Sequence, residues 1–388
     1  MKKKVLFIIS NMESGGVSKS MSSLLNVIDT NRFEVDCLVV VPRGIFMNTI
    51  PKNINVISDK KTELFFLPFP NNLIRLVKMG WIYLAFLRLL VALLMKINKG
   101  WGGWLLSKGI VKLKKNYDLA VDFNGQQQLY YLIENVKAKK KATFFHSDYA
   151  KWPYYYTMDK KHMPKADKIF TISDRCVQSL KHYFPKQTDK IGLFENIVSA
   201  VSIAALAKEK ITDSFENACF NIITIGHVSE AKGTHWAIAA AKLLKKEGLN
   251  FKWYFLGSNP KADYFSILAK KLDVTDNIVF MGLRQNPYPY LTQADLVVHP
   301  SSFEGKSIAL DEAKIVAKPI VVTNFTTVND QFENRINASI CEMNPEDIAE
   351  KIIELYQNES LRKRYTANLK AQRISNESEI EKLYQLIQ

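Results

Sequence analysis

The amino-acid sequence predicts an α/β protein that contains two Rossmann-like domains. Its 388 residues exceed what one ordinary hydrophobic core holds and suit two domains of roughly 150–200 residues each. Short apolar runs of β-rich composition alternate with helical patterns, which is typical of parallel sheets covered by helices. The β-rich runs are continuously apolar, as expected for strands buried on both faces.

The alternation gives two series of strands with helices such as 17–28 and 175–183 between them. The predicted strands are 4–9, 35–41, 119–123, 142–146 and 168–172, then 220–225, 253–256, 278–281, 296–299 and 320–323. Between the two series, the segment 197–216 loses strand character and becomes polar. The predicted domains are therefore 1–200 and 201–370, followed by a final helix, 371–388, that could cross back to the first domain.

The cysteines and the N-terminus favour a protein of the reducing cytoplasm. The four cysteines form no Cys-x-x-Cys pair, so neither disulfide staples nor a zinc knot is expected. The chain also lacks an Asp-x-Asp pair, and we expect no metal cofactor. Three lysines at the N-terminus precede only five apolar residues, 5–9, which predicts a buried strand rather than a signal peptide.

The formal net charge of +15 admits three kinds of partner: nucleic acid, an anionic membrane or a phosphorylated substrate. Residues 64–117 contain no Asp or Glu, so the basic charge is concentrated in one stretch, with a predicted membrane-facing segment at 73–115. Its basic residues are Arg75, Lys78, Arg88, Lys96, Lys99, Lys108, Lys112, Lys114 and Lys115. Because they lie beside an apolar run, they favour lipid, and we expect no nucleic-acid partner.

That apolar run extends from Trp81 to Met95 and is interrupted only by Arg88. It is shorter than the ~20 residues that a membrane-spanning helix needs. Its basic and aromatic surroundings favour an interfacial helix that lies among lipid headgroups. The alternative is a core helix of the first domain with a solvated basic edge.

Three loops follow predicted strands and carry the candidate donor-binding residues. In the first, Gly15 and Gly16 open a helix directly after the first strand, where free N–H groups favour an anion. A plain strand-to-helix turn would look the same. The second, 225–233, contains His227, Lys232 and a glycine. There Lys232 can neutralise a diphosphate, although a solvated loop lysine is the alternative.

The third loop, 300–313, is the most specific signal. Glu304 follows a predicted strand at the sheet edge where open α/β sheets bind ligands. Gly305, Lys306 and Ser307 are expected to supply backbone amides at a helix start. Glu312 is placed two turns along that helix, so that both carboxylates can face one cleft.

These three motifs, in this order and spacing, resemble glycosyltransferase family 4, a retaining family with the GT-B fold. The resemblance implies two facing Rossmann-like domains with a deep cleft between them. It further implies that Lys232 contacts the donor diphosphate, that Glu312 holds the ribose hydroxyls and that Glu304 faces the donor sugar. The family's usual arginine in the second motif is His227 here, which lacks a guanidinium fork.

The resemblance also points to two weaker sites. His146 ends a predicted strand, and similar enzymes often carry a histidine there, near the donor sugar and acceptor; a structural histidine is the alternative. Leu283 and Arg284 follow another strand, in a loop that lines the nucleobase in this family. The run Asn286-Pro287-Tyr288 resembles enzymes that use UDP-sugars.

The sequence therefore predicts a glycosyltransferase with retention at the anomeric carbon. Its expected partners are a nucleotide-sugar donor, a glycan or lipid-linked acceptor and an anionic membrane surface. The expected location is cytoplasmic and peripheral at the inner membrane. The alternative is a nucleotide-sugar epimerase of the same fold, or a non-catalytic protein that binds nucleotide-sugars.

Overall fold

The computed structural model describes residues 2–13, 15–216, 218–372 and 375–387. Strands and helices alternate except in residues 60–107 and 345–384, where several helices follow one another. The strands are β1 (Lys3–Ile9), β2 (Phe33–Val39), β3 (Asn55–Ile57), β4 (Asn116–Asp122), β5 (Lys137–Phe145), β6 (Lys168–Thr171), β7 (Ile191–Leu193), β8 (Phe220–Ile225), β9 (Phe251–Leu256), β10 (Ile278–Gly282), β11 (Leu296–His299), β12 (Ile320–Thr323) and β13 (Ser339–Cys341). The helices are α1 (Gly16–Val27), α2 (Lys60–Phe66), α3 (Asn71–Lys78), α4 (Ile82–Ile97), α5 (Lys99–Ser107), α6 (Gln127–Asn135), α7 (Tyr156–His162), α8 (Asp174–Tyr183), α9 (Ala200–Leu206), α10 (Thr234–Lys246), α11 (Ala262–Lys271), α12 (Tyr288–Gln293), α13 (Ile308–Ile315), α14 (Pro345–Gln357), α15 (Glu359–Ala371) and α16 (Glu381–Tyr384).

The chain divides into two compact units. The first contains residues 1–13, 17–197 and 377–388, and the second contains 14–16 and 198–376. Each unit has its own parallel sheet, with the strand order β3-β2-β1-β4-β5-β6-β7 in the first and β10-β9-β8-β11-β12-β13 in the second. The predicted α/β class with two parallel-sheet domains is confirmed.

The elements form where the sequence gives local reasons for them. Strand β1 is buried along its last five residues, which matches its uninterrupted apolar sequence. Helix α14 begins at Pro345, and the Asn344 side chain accepts a hydrogen bond from the backbone N–H of Asp347. Acidic side chains in its first turn complement the helix dipole.

The last described segment of the chain, after residue 376, belongs to the first unit. Helix α16 contributes Leu383 and Tyr384 to the core that covers one face of the first sheet. The Tyr384 ring stacks on Phe33 with 4.7 Å between centroids, and its hydroxyl accepts a hydrogen bond from the backbone N–H of Asp29 at 2.8 Å. The two ends of the chain therefore share one hydrophobic core.

Candidate active site

The second sheet places two of the predicted loops side by side. Strands β8 and β11 are neighbours, and from them the strand order runs outward in opposite directions. At such a switch point the helices on either side leave a crevice at the carboxyl ends of the strands, where open α/β sheets bind ligands. The loop that contains Lys232 follows β8, and the loop that contains Glu304 follows β11.

Close backbone contacts hold these two loops together. The Ala231 carbonyl accepts hydrogen bonds from both the backbone N–H and the hydroxyl of Ser302, at 3.0 and 2.8 Å. Gly233 has φ +67°, and a Cβ added there would lie 1.8 Å from the Pro300 carbonyl oxygen. A side chain at position 233 would therefore both strain the backbone and push the loops apart.

The loops bring Lys232, Glu304 and His299 into one cluster. Glu304 Oε1 accepts hydrogen bonds from Lys232 Nζ at 2.5 Å and from His299 Nε2 at 2.8 Å. The side chains of Glu304 and His299 are 11% and 5% exposed, whereas that of Lys232 is 29% exposed. The lysine is thus the member of the cluster that solvent reaches most easily.

The cluster keeps Glu304 ionised. Burial alone would raise the pKa of this carboxyl group, but the Lys232 charge and the His299 hydrogen bond lower it from 4.5 to about 2. At neutral pH, Glu304 is therefore a hydrogen-bond acceptor and a negative charge, and it has no proton to donate.

Glu312 is buried on α13. Its Oε1 accepts a hydrogen bond from the Tyr288 hydroxyl at 2.8 Å. Burial and the nearby Glu312 carboxylate raise the pKa of Tyr288, so the tyrosine remains a donor. The prediction of two turns was wrong: Glu312 lies one turn into the helix, because regular helix begins only at Ile308.

Gly305, Lys306 and Ser307 lie directly before α13, where the sequence predicted backbone donors. The Ser307 N–H already donates to Gln331 Oε1 at 2.9 Å. Gln331 Nε2 in turn donates to the Ser307 carbonyl and to Asp311, both at 2.9 Å. This buried glutamine therefore orders the start of the helix that carries Glu312.

His227 and Arg284 contact residues outside the Lys232 cluster. The exposed His227 ring has its Nδ1 2.5 Å from the Ser258 hydroxyl, in the loop after β9. Arg284 follows the exposed Leu283 in the loop after β10, and its guanidinium pairs with Asp213 at 2.5 Å. The Arg284 side chain is thus directed at Asp213.

The remaining predicted residues are two glycines at the start of α1 and one histidine after β5. Gly15 has φ +144°, a backbone conformation that side chains rarely adopt, and Gly16 begins α1. His146 directly follows β5, and burial lowers its pKa from 6.5 to about 4. Hydrogen bonds with the Asn196 side chain and the Phe123 backbone favour the charged imidazole, but the effect of burial is larger. The imidazole is therefore neutral at physiological pH.

Sequence reasoning did not identify His299, Gln331 or the contact of Tyr288 with Glu312. His299 is the last residue of a strand at the ligand-binding edge, a position that could have identified it. Within the described ranges, no group of three or more His, Cys, Asp or Glu side chains could hold a metal ion.

The sequence of the second unit matches a known family. Residues 212–372 match the family model of glycosyl transferases group 1. A curated relative from Campylobacter jejuni, N-acetylgalactosamine-N,N'-diacetylbacillosaminyl-diphospho-undecaprenol 4-alpha-N-acetylgalactosaminyltransferase, is 27% identical over 163 residues, which are 42% of each chain. The chain spans about two fifths of the length of the first curated relatives that it matches. These similarities support the glycosyltransferase superfamily.

Solved glycosyltransferase structures match along almost the whole chain. A glycosyltransferase from Rickettsia africae has a TM-score of 0.71 at 16% identity and covers 100% of this chain and 98% of its own. The Anabaena protein HepE in complex with UDP-glucose has a TM-score of 0.69 at 14% identity, with 98% of both chains covered. This likeness confirms the predicted GT-B fold.

Proposed function

We propose that the protein is a glycosyltransferase that moves a sugar from a UDP-sugar to a glycan or lipid-linked acceptor. The observation that carries this proposal is the Lys232–Glu304 ion pair at the switch point of the second sheet. It places a cation and a carboxylate that is ionised at neutral pH at the edge where open α/β sheets bind ligands. The group 1 match over the same residues supports this chemistry.

In the proposed complex, Lys232 turns from Glu304 to the donor diphosphate. This step is accessible because the lysine is the most exposed member of its cluster, and His299 keeps Glu304 oriented after the lysine leaves. Glu312 accepts hydrogen bonds from the ribose hydroxyls while the Tyr288 hydroxyl donates to its Oε1 atom. Gly15, Gly16, His227 and the backbone at 283–284 and 305–306 complete the proposed donor site, whereas the Ser307 amide is committed to Gln331 and only orders the helix start.

The proposed reaction retains the anomeric configuration. The oxygen of an acceptor hydroxyl forms a bond to the anomeric carbon on the face that the diphosphate leaves, and the hydroxyl proton passes to the departing diphosphate oxygen. As the bond to the diphosphate breaks, negative charge grows on the leaving group and positive charge grows on the sugar. Lys232 stabilises the first charge and the Glu304 carboxylate the second, so catalysis depends on preorganised electrostatics. The C. jejuni relative is named as a 4-alpha-N-acetylgalactosaminyltransferase, and an alpha product supports retention because common UDP-hexose donors are alpha-linked.

The proposed acceptor side includes His146 and a membrane surface. A neutral His146 imidazole can donate or accept a hydrogen bond at an acceptor hydroxyl without adding charge. The diphospho-undecaprenol in the name of the C. jejuni relative supports a lipid-linked acceptor. We place the protein in the cytoplasm, peripheral at the inner membrane, and we expect its activity to persist in a chelator.

The substitution of His227 for the family's arginine favours one alternative. With a weaker phosphate contact, the chain could be a nucleotide-sugar epimerase or a binding protein without transfer activity. Acceptor dependence separates these functions. A transferase releases UDP from a UDP-sugar only when acceptor is present, whereas an epimerase changes the sugar without acceptor and a binding protein does neither.

Calorimetric titration with UDP, GDP, ADP and NAD tests the donor site. We expect selective UDP binding, weakened about 10- to 100-fold in Glu312→Ala, because a charge-assisted hydrogen bond contributes about 1.5–3 kcal/mol. Glu247→Ala is the matched control, since this exposed glutamate lies at the C-terminal end of α10, just before β9 and therefore at the opposite edge of the sheet from the loops of the site. Equal UDP affinity in wild type and Glu312→Ala would contradict the assigned site, and the absence of any nucleotide binding would contradict the proposed function.

A further inference from the structure

Helix α4 exposes an apolar stripe that no described residue covers. Its outward side chains recur at helical spacing and are between 44% and 74% exposed: Ile82, Phe86, Leu89, Leu93 and Ile97. At 100° per residue, these five positions fall within an arc of about 80°. Apolar side chains on a surface helix normally turn toward the core, so this face is suited to another apolar medium.

The central charged residue of the same helix, Arg88, lies on the face opposite the stripe. Arg88 lies about 140° from the centre of the exposed arc. Its Nε donates to the Phe65 carbonyl at 3.2 Å, and its guanidinium lies 5.9 Å from the centroid of the Phe69 ring. Burial lowers the pKa of this arginine. The helix thus satisfies its central charge internally and leaves the outward face uncharged until Lys96.

Exposed basic side chains lie on α4 and on α3 and α5, the two helices that pack against it. Arg75 and Lys78 are exposed on α3, and Lys96 and Lys99 are exposed at the end of α4 and the start of α5. Residues 64–117 contain no acidic residue that could neutralise them. Their complement is a negatively charged surface whose interior is apolar.

We propose that the outward face of α4 inserts into an anionic phospholipid bilayer, with the helix axis parallel to the membrane plane. The 16-residue helix is about 24 Å long, and in the described part of the chain no helix is long and apolar enough to cross a membrane. A second copy of the chain fits this face poorly, because a symmetric contact would bring basic residues together. This inference rests on the proposed membrane location and is independent of the proposed chemistry.

Vesicle flotation of the full chain tests the inference. We expect the protein to float with vesicles that contain phosphatidylglycerol and much less with vesicles of phosphatidylcholine alone. Phe86→Ser/Leu93→Ser should lower the bound-to-free ratio by at least about tenfold, because both side chains lose their apolar contact with lipid. Lys96→Gln/Lys99→Gln should lower it about 25-fold, at about fivefold per lysine.

The control is Val201→Ser/Ile267→Ser, which removes two apolar side chains of similar or greater exposure, 79% and 66%, from the second unit. It should float like wild type, and all variants should keep the wild-type thermal midpoint and UDP affinity. If Phe86→Ser/Leu93→Ser floats like wild type, the assignment of α4 is overturned even if the protein binds membranes. If the wild type does not float, the proposed membrane location is overturned as well. If sedimentation velocity shows a dimer of the wild type that Phe86→Ser/Leu93→Ser abolishes, a second copy of the chain covers the stripe and the proposal is overturned. The UDP titration tests the donor site, so its result does not depend on whether the protein floats with vesicles.

Discussion

Replacing Glu304 with glutamine tests the electrostatic design of the site most directly. The substitution keeps the shape of the side chain and removes its negative charge. Glu304 is nearly buried and accepts hydrogen bonds from two basic side chains through one oxygen. The neutral amide would retain a carbonyl acceptor but would lose the attraction to the Lys232 ammonium group.

The size of the effect follows from the pKa of Glu304. The difference between the ordinary value of 4.5 and about 2 in the folded protein corresponds to about 3 kcal/mol at 1.36 kcal/mol per pKa unit. Because the folded pKa is lowered, this stabilisation is present above pH 4.5 and is lost as the pH falls toward 2. At pH 3, about half of it remains. Glu304→Gln should therefore lower the free energy of unfolding by about 3 kcal/mol at pH 7 and by less at pH 3.

A urea titration that is monitored by hydrogen exchange in peptides from β8 and β11 measures the free energy of unfolding of the second unit alone. Glu354→Gln is the control. Glu354 pairs with Arg335, but their side chains are 30% and 62% exposed, so its loss should cost no more than about 1 kcal/mol. A cost below about 1 kcal/mol for Glu304→Gln at pH 7, or a cost that is constant between pH 7 and pH 3, would refute the reasoning.

Three further substitutions test separate parts of the molecule. Lys232→Ala should reduce acceptor-dependent UDP release about 10²- to 10³-fold, because the leaving group loses its cation; undiminished turnover would exclude that role. Tyr288→Phe should weaken UDP binding about two- to tenfold in calorimetry through loss of the hydrogen bond to Glu312, and an unchanged affinity would contradict this. Burial raises the pKa of Asp159 from 3.8 to about 6, so its stabilisation is present below pH 3.8 and lost as the pH rises through 6. Relative to Asp159→Asn, the wild-type free energy of unfolding of the first unit should therefore fall by about 2.4 kcal/mol between pH 4 and pH 7. Hydrogen exchange measures this difference, and parallel pH profiles for the two proteins would contradict the prediction.

The fold could be predicted because its signal is local and repeated. Long apolar runs such as β1 and β8 are recognisable without tertiary information, since both faces of each strand are buried. The strands that the sequence did not reveal are β3, β7 and β13. Each has three residues and lies at the edge of a sheet, where pairing rather than composition defines the strand. Such short edges carry too few residues for a periodic pattern.

The site could be predicted only in part, for a different reason. Lys232 and Glu304 were found because each lies in a loop directly after a strand, and adjacent parallel strands bring such loops together. The contact of His299 with Glu304 spans five residues across a strand end, and that of Tyr288 with Glu312 spans 24 residues. Gln331 reaches Ser307 from another loop. Partners that are set by tertiary packing leave no spacing rule in the sequence.

The position of His299 explains how one carboxylate can serve two states of the proposed enzyme. Without a bound nucleotide-sugar, Glu304 compensates the charge of Lys232, and Lys232 and His299 both donate hydrogen bonds to the same carboxylate oxygen. If the lysine were the only partner of Glu304, its movement to a diphosphate would leave the carboxylate buried and unpaired, which is costly. The nearly buried imidazole provides a second donor that the diphosphate does not replace. The site can therefore release its lysine to the substrate while Glu304 remains hydrogen-bonded and fixed in orientation.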